Sequence, residues 1–159
     1  MSIIRPAFAS LVLAVLVASP AAQSQPAGDR LLTPQQVVQA RQAALEMSVI
    51  TLTQLKRASD NGGDVKKQGF AAGALALWAK TLPILFPAGT AMGQTPIESK
   101  AKPEIWTNRA LFDSRAADYA AATAKLFDLS QAGDSTGFAA QLDVVKKTCN
   151  ACHSDFQAR

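Results

Sequence analysis

Near the C-terminus, Phe138, Leu142, Val145, Cys149, Cys152 and Phe156 follow one another at steps of 4, 3, 4, 3 and 4 residues. That period puts all six on one side of an α-helix and cannot put them on one side of a strand. So continuous a seam has to be covered by other helices, and the usual solution is a bundle. The chain has the material for one. Its 159 residues suit a single domain of ~100–200 residues, and with 48% apolar and 18% charged residues it can bury a core. It is rich in Ala, has a single Tyr and lacks long β-branched runs, which favours helix over sandwich or barrel.

Three further segments read as helices. Thr33-Pro34-Gln35-Gln36 combines an N-cap, a first-turn proline and the Gln of a capping box. The helix it opens runs to about Ser59, with Val38, Arg41, Leu45, Leu52 and Leu55 on one stripe, and Asn61-Gly62-Gly63 ends it. Asp64 can cap a second helix reaching about Thr81 and carrying Phe70, Leu75 and Trp78. Gly69 and Gly73 either weaken it or admit a close neighbour. The connection from Leu82 to Lys102 is rich in Pro and Gly, and Pro103-Glu104-Ile105-Trp106 reads as a short turn. A third helix, capped by Thr107 or Asn108, extends to about Gln131 with Phe112, Tyr119 and Leu126 in line, and Gly133 closes it. Asp134 or Ser135 opens the last. The expected fold is all-α, an antiparallel four-helix bundle over residues 32–159.

The first 24 residues have the layout of a cleaved secretory signal peptide. Arg5 is the lone charge, Ala7 to Ala18 is uncharged and apolar, and Ala21, Ala22 and Ser24 are small residues suited to cleavage. The rival reading, a membrane anchor, needs ~20 apolar residues, more than this run has. Residues 25–31 read as a flexible leader. The expected location is the periplasm, with no membrane span in the mature chain. Cleavage removes Arg5 and no acid, so the formal charge drops from +4 by one. The basic residues are scattered and give no support for nucleic-acid binding.

Cys149-Asn150-Ala151-Cys152-His153 is a C-x-x-C-H segment, the attachment signature of c-type haem. Thiols at i and i+3 share a side of the helix and can form thioethers with the two vinyl groups of one porphyrin edge. His153, at i+4 from Cys149, projects near the same face and can ligate the iron. One haem c per chain, covalent through Cys149 and Cys152, is the implied cofactor, and His153 the metal ligand. Other readings fit less well. A thioredoxin-like pair expects a βαβ context, a zinc site lacks its second half, and a disulfide at this spacing strains a continuous helix.

His153 is the sole histidine, so a sixth ligand has to be Met, Lys or water. Met92 lies in the connecting segment. Met47 sits two residues from Leu45, about 200° around the helix, and faces away from the stripe. Leu45 then becomes the residue nearest the iron, which would leave the iron five-coordinate and high-spin. On stripe position alone Leu45 reads better as an ordinary core leucine, and Arg41 as a surface salt bridge or solvated charge.

The chain resembles the cytochrome c′ family from about Leu32 to its end. The resemblance rests on Ala40-Arg41-Gln42, Leu82-Pro83, Phe86-Pro87, Ala101-Lys102-Pro103-Glu104-Ile105-Trp106, Phe112, Ala132-Gly133-Asp134 and the terminal C-x-x-C-H with Phe156. It implies a homodimer of four-helix bundles with pentacoordinate haem, binding nitric oxide and often carbon monoxide but oxygen poorly. The associated roles are nitric-oxide handling and electron transfer with a partner that the sequence does not name. By position, Leu45 matches the family's distal residue, and Arg41 and Gln42 match residues at the haem edge, where a guanidinium pairs well with a propionate. Phe86 and Phe112 are candidates for the cofactor pocket, with the core as the alternative. One position departs. Many members carry Arg four residues after the haem-ligating His, and Gln157 stands there.

Two alternatives remain at this stage. One is a low-spin electron carrier with Met47 as sixth ligand. The other is an enzyme such as a peroxidase, which the absence of a distal His or acid disfavours. A gas-binding and electron-transfer protein, not an enzyme, is the expected class.

Overall fold

A computed structural model describes residues 32–159, and the signal peptide and leader expected at 1–24 and 25–31 lie outside the described residues. The helices are α1 (Pro34–Asp60), α2 (Gly69–Thr81), a one-turn α3 (Glu104–Thr107), α4 (Arg109–Ala132) and α5 (Ser135–Phe156). The four long helices are those the sequence implies. A 3₁₀ turn, Val65–Gln68, precedes α2, and another, Leu82–Leu85, follows it.

The helix ends obey their local chemistry. At α1 the Thr33 hydroxyl accepts from Gln36 N at 3.2 Å while the Gln36 side chain accepts from Thr33 N at 2.9 Å, a complete capping box. Asp64 caps the first 3₁₀ turn, accepting from Lys66 N at 3.0 Å. Of the two candidates at the head of α5, Asp134 is the cap, its carboxylate accepting from Gly137 N at 2.8 Å. Gly133, with φ of 75°, reverses the chain between α4 and α5 in the left-handed region that glycine adopts without strain.

One core cluster joins Leu55, Leu75, Ala79, Tyr119, Leu126, Phe138, Leu142 and Val145 from all four long helices. A second, at the other end, joins Leu82, Phe86, Ile105, Phe112, Ala116 and Phe156. Gly73 serves close approach: a Cβ there would come within 3.1 Å of the Phe127 ring, so α2 lies against α4 where a larger residue would separate them.

Phe70 does not join the core. It is 92% exposed. It stands five residues from Leu75, roughly 140° around the helix and outside an apolar stripe ~100° wide. The buried face of α2 is instead Gly69, Ala72, Leu75, Ala76 and Ala79.

Phe138 is fully buried at the start of the α5 seam. Phe138→Ala is expected to cost ~3–5 kcal/mol of unfolding free energy. Gly133→Ala is expected to cost ~1 kcal/mol through its positive φ. Urea titration of the holoprotein followed by far-UV circular dichroism measures both.

Candidate functional site

The α5 seam leaves the core half-way along. Phe138, Leu142 and Val145 are buried, whereas Cys149 and Cys152 are half-buried and unbridged. Cys149 packs on the inner cluster and Cys152 on the outer one. Beyond them, His153 is exposed. Burial raises the Cys149 thiol, and burial first, then Cys149 and Asp155, pushes Cys152 up to about 11. Redox-active and metal-binding C-x-x-C pairs show the reverse, a depressed pKa. Partial desolvation of the ring lowers the His153 pKa and so favours the neutral form, the one that ligates iron.

Cys152 and His153 open onto a groove of about 310 Å³, within the size range of cofactor sites. Its other walls are Arg41, Gln42, Leu45 and Glu46 from α1, Leu82 and Phe86 after α2, Ser99–Ala101, Ile105, Phe112 from α4, and Phe156 and Gln157 from the chain end. The structure therefore brings together seven of the eight residues that the sequence singles out, and Cys149 stands one helical turn before Cys152 on the same seam. Met47 is not among the lining residues and is 60% exposed.

Aromatic packing builds the floor. The Phe112 ring lies edge-on to Phe86 at 4.9 Å and to Phe156 at 5.5 Å between centroids. Phe86 is held by its neighbours: Trp106 Nε1 donates to the carbonyls of Phe86 and Pro87, each at 3.1 Å. This is the structural work of the Pro-Glu-Ile-Trp segment.

The far end is closed by the connecting segment. Ala101 pairs with Gln157 in an antiparallel bridge, Lys102 N donates to Phe156 O at 3.0 Å and Ala158 N to Lys100 O at 2.9 Å. Lys102 Nζ also reaches the carbonyls of Ser154 and Asp155, a cation at the C-terminal end of α5. Arg115 pairs with Asp155 at 2.9 Å and ties α4 to the same turn.

Arg41 is the unusual group. It is only 2% exposed. Nη1 donates to Leu85 O at 3.2 Å and Thr90 Oγ1 at 3.0 Å, and Nη2 to Thr90 O at 2.9 Å and Ser99 Oγ at 3.1 Å. The guanidinium also stacks over Phe86 at 4.3 Å. Every one of these acceptors is neutral. Burial lowers the Arg41 pKa to about 10. A buried cation with no counter-ion at the edge of a groove fits an anionic ligand, and the propionates of a haem meet that requirement. Gln42 is occupied on the same wall, its Nε2 donating to Glu98 O.

The residues present thus fit haem c: two unbridged thiols on one helix face, an imidazole one residue on, an apolar aromatic floor and a buried cation at the edge. The profile of the family described as Cytochrome C′ matches residues 36–157. The chain belongs to the cytochrome c′ family. Haem c is the family's cofactor, and Cys149 and Cys152 are the cysteines that its attachment requires.

Among curated cytochromes, that cytochrome c′ of Rhodospirillum rubrum is 36% identical over 87 residues, 55% of this chain and 57% of that protein. Cytochrome c-556 of Rhodopseudomonas palustris is 37% identical over 83 residues, 50% of this chain and 52% of that protein. The matched stretch thus spans only a little over half the length of these relatives. Among solved structures, cytochrome c′ of Thermochromatium tepidum superposes with a TM-score of 0.75 at 22% identity, covering 80% of this chain and 98% of that one. A ferrous variant of the Alcaligenes xylosoxidans protein with bound NO superposes at 0.72 and 22% identity, covering 81% and 98%. These likenesses establish the four-helix cytochrome c′ fold.

Sequence reasoning did not find Thr90 and Ser99, the partners of Arg41, because nothing local marks a Thr or Ser in a Pro/Gly-rich connection. It also expected no acid near the site, whereas the exposed Glu46 lines the groove. Arg41→Ala is expected to cost ~1–3 kcal/mol of holoprotein stability in urea titration, because it strips four acceptors of their donor. Arg41→Lys should recover less than half of that, since one ammonium cannot span the fork.

Proposed function

We propose that this cytochrome c′ is a periplasmic haem protein whose five-coordinate, high-spin iron binds nitric oxide and carbon monoxide, and which also passes electrons without acting as an enzyme. Haem supplies an iron that takes up a diatomic gas and changes between ferric and ferrous states. The chain's part is to hold it and to limit access. Cys149 and Cys152 anchor the porphyrin, His153 ligates the iron, and Arg41 with Gln42 sits at its edge. Phe86 and Phe112 pack against it, and Leu45 crowds the ligand side.

The observation that carries this reading is the composition of the groove wall. Around Leu45 it offers Leu82, Phe86, Ile105 and Phe112, while Met47 is turned out of it. A low-spin carrier with Met47 as sixth ligand would need α1 to rotate about half a turn. That rotation would take Val38 and Arg41 out of the core. With Leu45 in the way, a weakly binding ligand loses most, and oxygen lacks the polar donor its bound form favours. Gln157, at the position where many relatives carry Arg, can donate a hydrogen bond but brings no charge to the His153 side.

The optical and resonance-Raman spectra of the holoprotein test this directly. Five-coordinate high-spin signatures are expected in both oxidation states, and a far-red sulfur-to-iron charge-transfer band in the ferric protein would overturn the reading. Leu45→Ala should raise carbon monoxide affinity by ~5- to 150-fold, the equivalent of relieving ~1–3 kcal/mol of overpacking. Unchanged affinity would make Leu45 a core residue only.

The periplasmic location rests on the signal-peptide layout of residues 1–24. Among the described residues no helix is long and apolar enough to cross a membrane. A homodimer is supported by the large apolar side chains exposed on α1 and α2: Met47, Val49, Ile50, Phe70 and Leu77. Phe70→Glu combined with Leu77→Glu is expected to shift the holoprotein to monomer in sedimentation velocity with its haem spectrum unchanged.

A further inference from the structure

The end of α5 decides what the His153 ring meets besides a metal. Gln157 N donates to His153 O at 3.1 Å, so Gln157 is still on the helical path although it is the first residue past the helix. Residues so spaced are neighbours on a helix surface, with Cβ atoms about 5–6 Å apart. Side chains on a helix lean toward its N-terminus, which brings Gln157 back over the turn that carries His153. Both side chains line the same groove. The Gln157 backbone is fixed from outside, by its bridge to Ala101 and by Ala158 N donating to Lys100 O at 2.9 Å. Among the described residues, neither its side-chain amide nor the His153 ring takes part in a hydrogen bond.

We propose that the Gln157 side-chain carbonyl accepts a hydrogen bond from the His153 ring N–H that does not face the iron, so that Gln157 is the positioning residue of the metal ligand. This rests on His153 being that ligand. An imidazole bound to a metal through one nitrogen carries a proton on the other, and that N–H almost always has an acceptor. The other acceptors near the ring are committed. The Asp155 carboxylate is taken by Arg115 and Ser154, and the carbonyls of Ser154 and Asp155 by Lys102 Nζ. Ser99 Oγ already accepts from Arg41 and from Ala101 N. Glu46 belongs to the α1 wall that carries Leu45, and Asn150, a turn before His153, does not line the groove. Gln157 Oε1 is left. An amide suits the task and a guanidinium does not, because Arg has five donors and no acceptor. Accepting from the ring fixes its orientation and makes the other nitrogen a stronger donor to iron.

The test reads the Fe–His stretch of the ferrous holoprotein by resonance Raman, together with its midpoint potential. Gln157 is exposed and its ties to Ala101 and His153 are backbone bonds, so side-chain replacements leave the fold in place. Gln157→Leu removes the acceptor without changing the charge, Gln157→Glu supplies a stronger acceptor, and Gln157→Arg supplies donors only. The Fe–His stretch is expected to fall in Gln157→Leu and Gln157→Arg and to rise in Gln157→Glu. The potential of Gln157→Leu is expected to rise, since a weaker imidazole donor stabilises the ferric state less. An unshifted stretch in Gln157→Leu overturns the proposal, because water then serves the ring equally well. A rise in Gln157→Arg also overturns it, since no acceptor is there to cause it. If the ferrous parent shows no Fe–His band, the five-coordinate reading falls by itself. The potential of Gln157→Leu then decides the proposal: raised supports it, unchanged overturns it.

Discussion

The burial of the α5 seam is the interaction on which the rest depends. Phe138, Leu142 and Val145 lock one half of the helix into the four-helix core. The same stripe, continued without a change of period, delivers Cys149 and Cys152 to a groove where the core opens. Because the period is unbroken, the two thiols need no separate device to aim them. Core packing at one end sets the rotation of the helix, and the rotation sets the direction of both sulfurs and of His153. The turn that follows is fixed from outside by Lys102, by the Arg115–Asp155 pair and by the bridge from Ala101 to Gln157. Attachment and ligation therefore rest on a helix held at both ends.

A second constraint works against stability. A guanidinium that is almost wholly buried and surrounded only by neutral acceptors is costly, and burial lowers its pKa to about 10. Arg41 offsets part of this by joining Leu85, Thr90 and Ser99 to α1 and so helping to organise the connection. The remaining cost is the part that an anion would relieve. The same residue thus orders the wall of the groove and leaves that wall electrostatically incomplete, which is how a site comes to favour a charged ligand over water.

What could be read from the sequence was local. The capping box at Thr33, the turn at Gly133, the line of Phe112, Tyr119 and Leu126 and the α5 seam each depend on neighbours within a helical turn or two, and each is where the sequence places it. The motif from Cys149 to His153 is legible for the same reason. Which face of α2 is buried was not legible, because it is chosen by the small residues that let α2 approach α4 and leaves Phe70 exposed. The partners of Arg41 lie 44 to 58 residues away in a connection without periodicity, and no pattern points to them.

These two kinds of legibility match two kinds of work. Covalent attachment requires two thiols at fixed spacing on one helix, so its motif is written locally. Choosing a ligand requires surfaces from different helices to meet over the same point. Leu45 comes from α1, Leu82 from the turn after α2, Phe112 from α4 and Phe86 from the connection that Arg41 and Trp106 hold in place. Small changes in how α1 and α2 lie on the pair formed by α4 and α5 would alter the groove wall while leaving the Cys149–Cys152 turn intact. The spacing of the two cysteines on α5 is independent of that adjustment, because it is set within one helical turn.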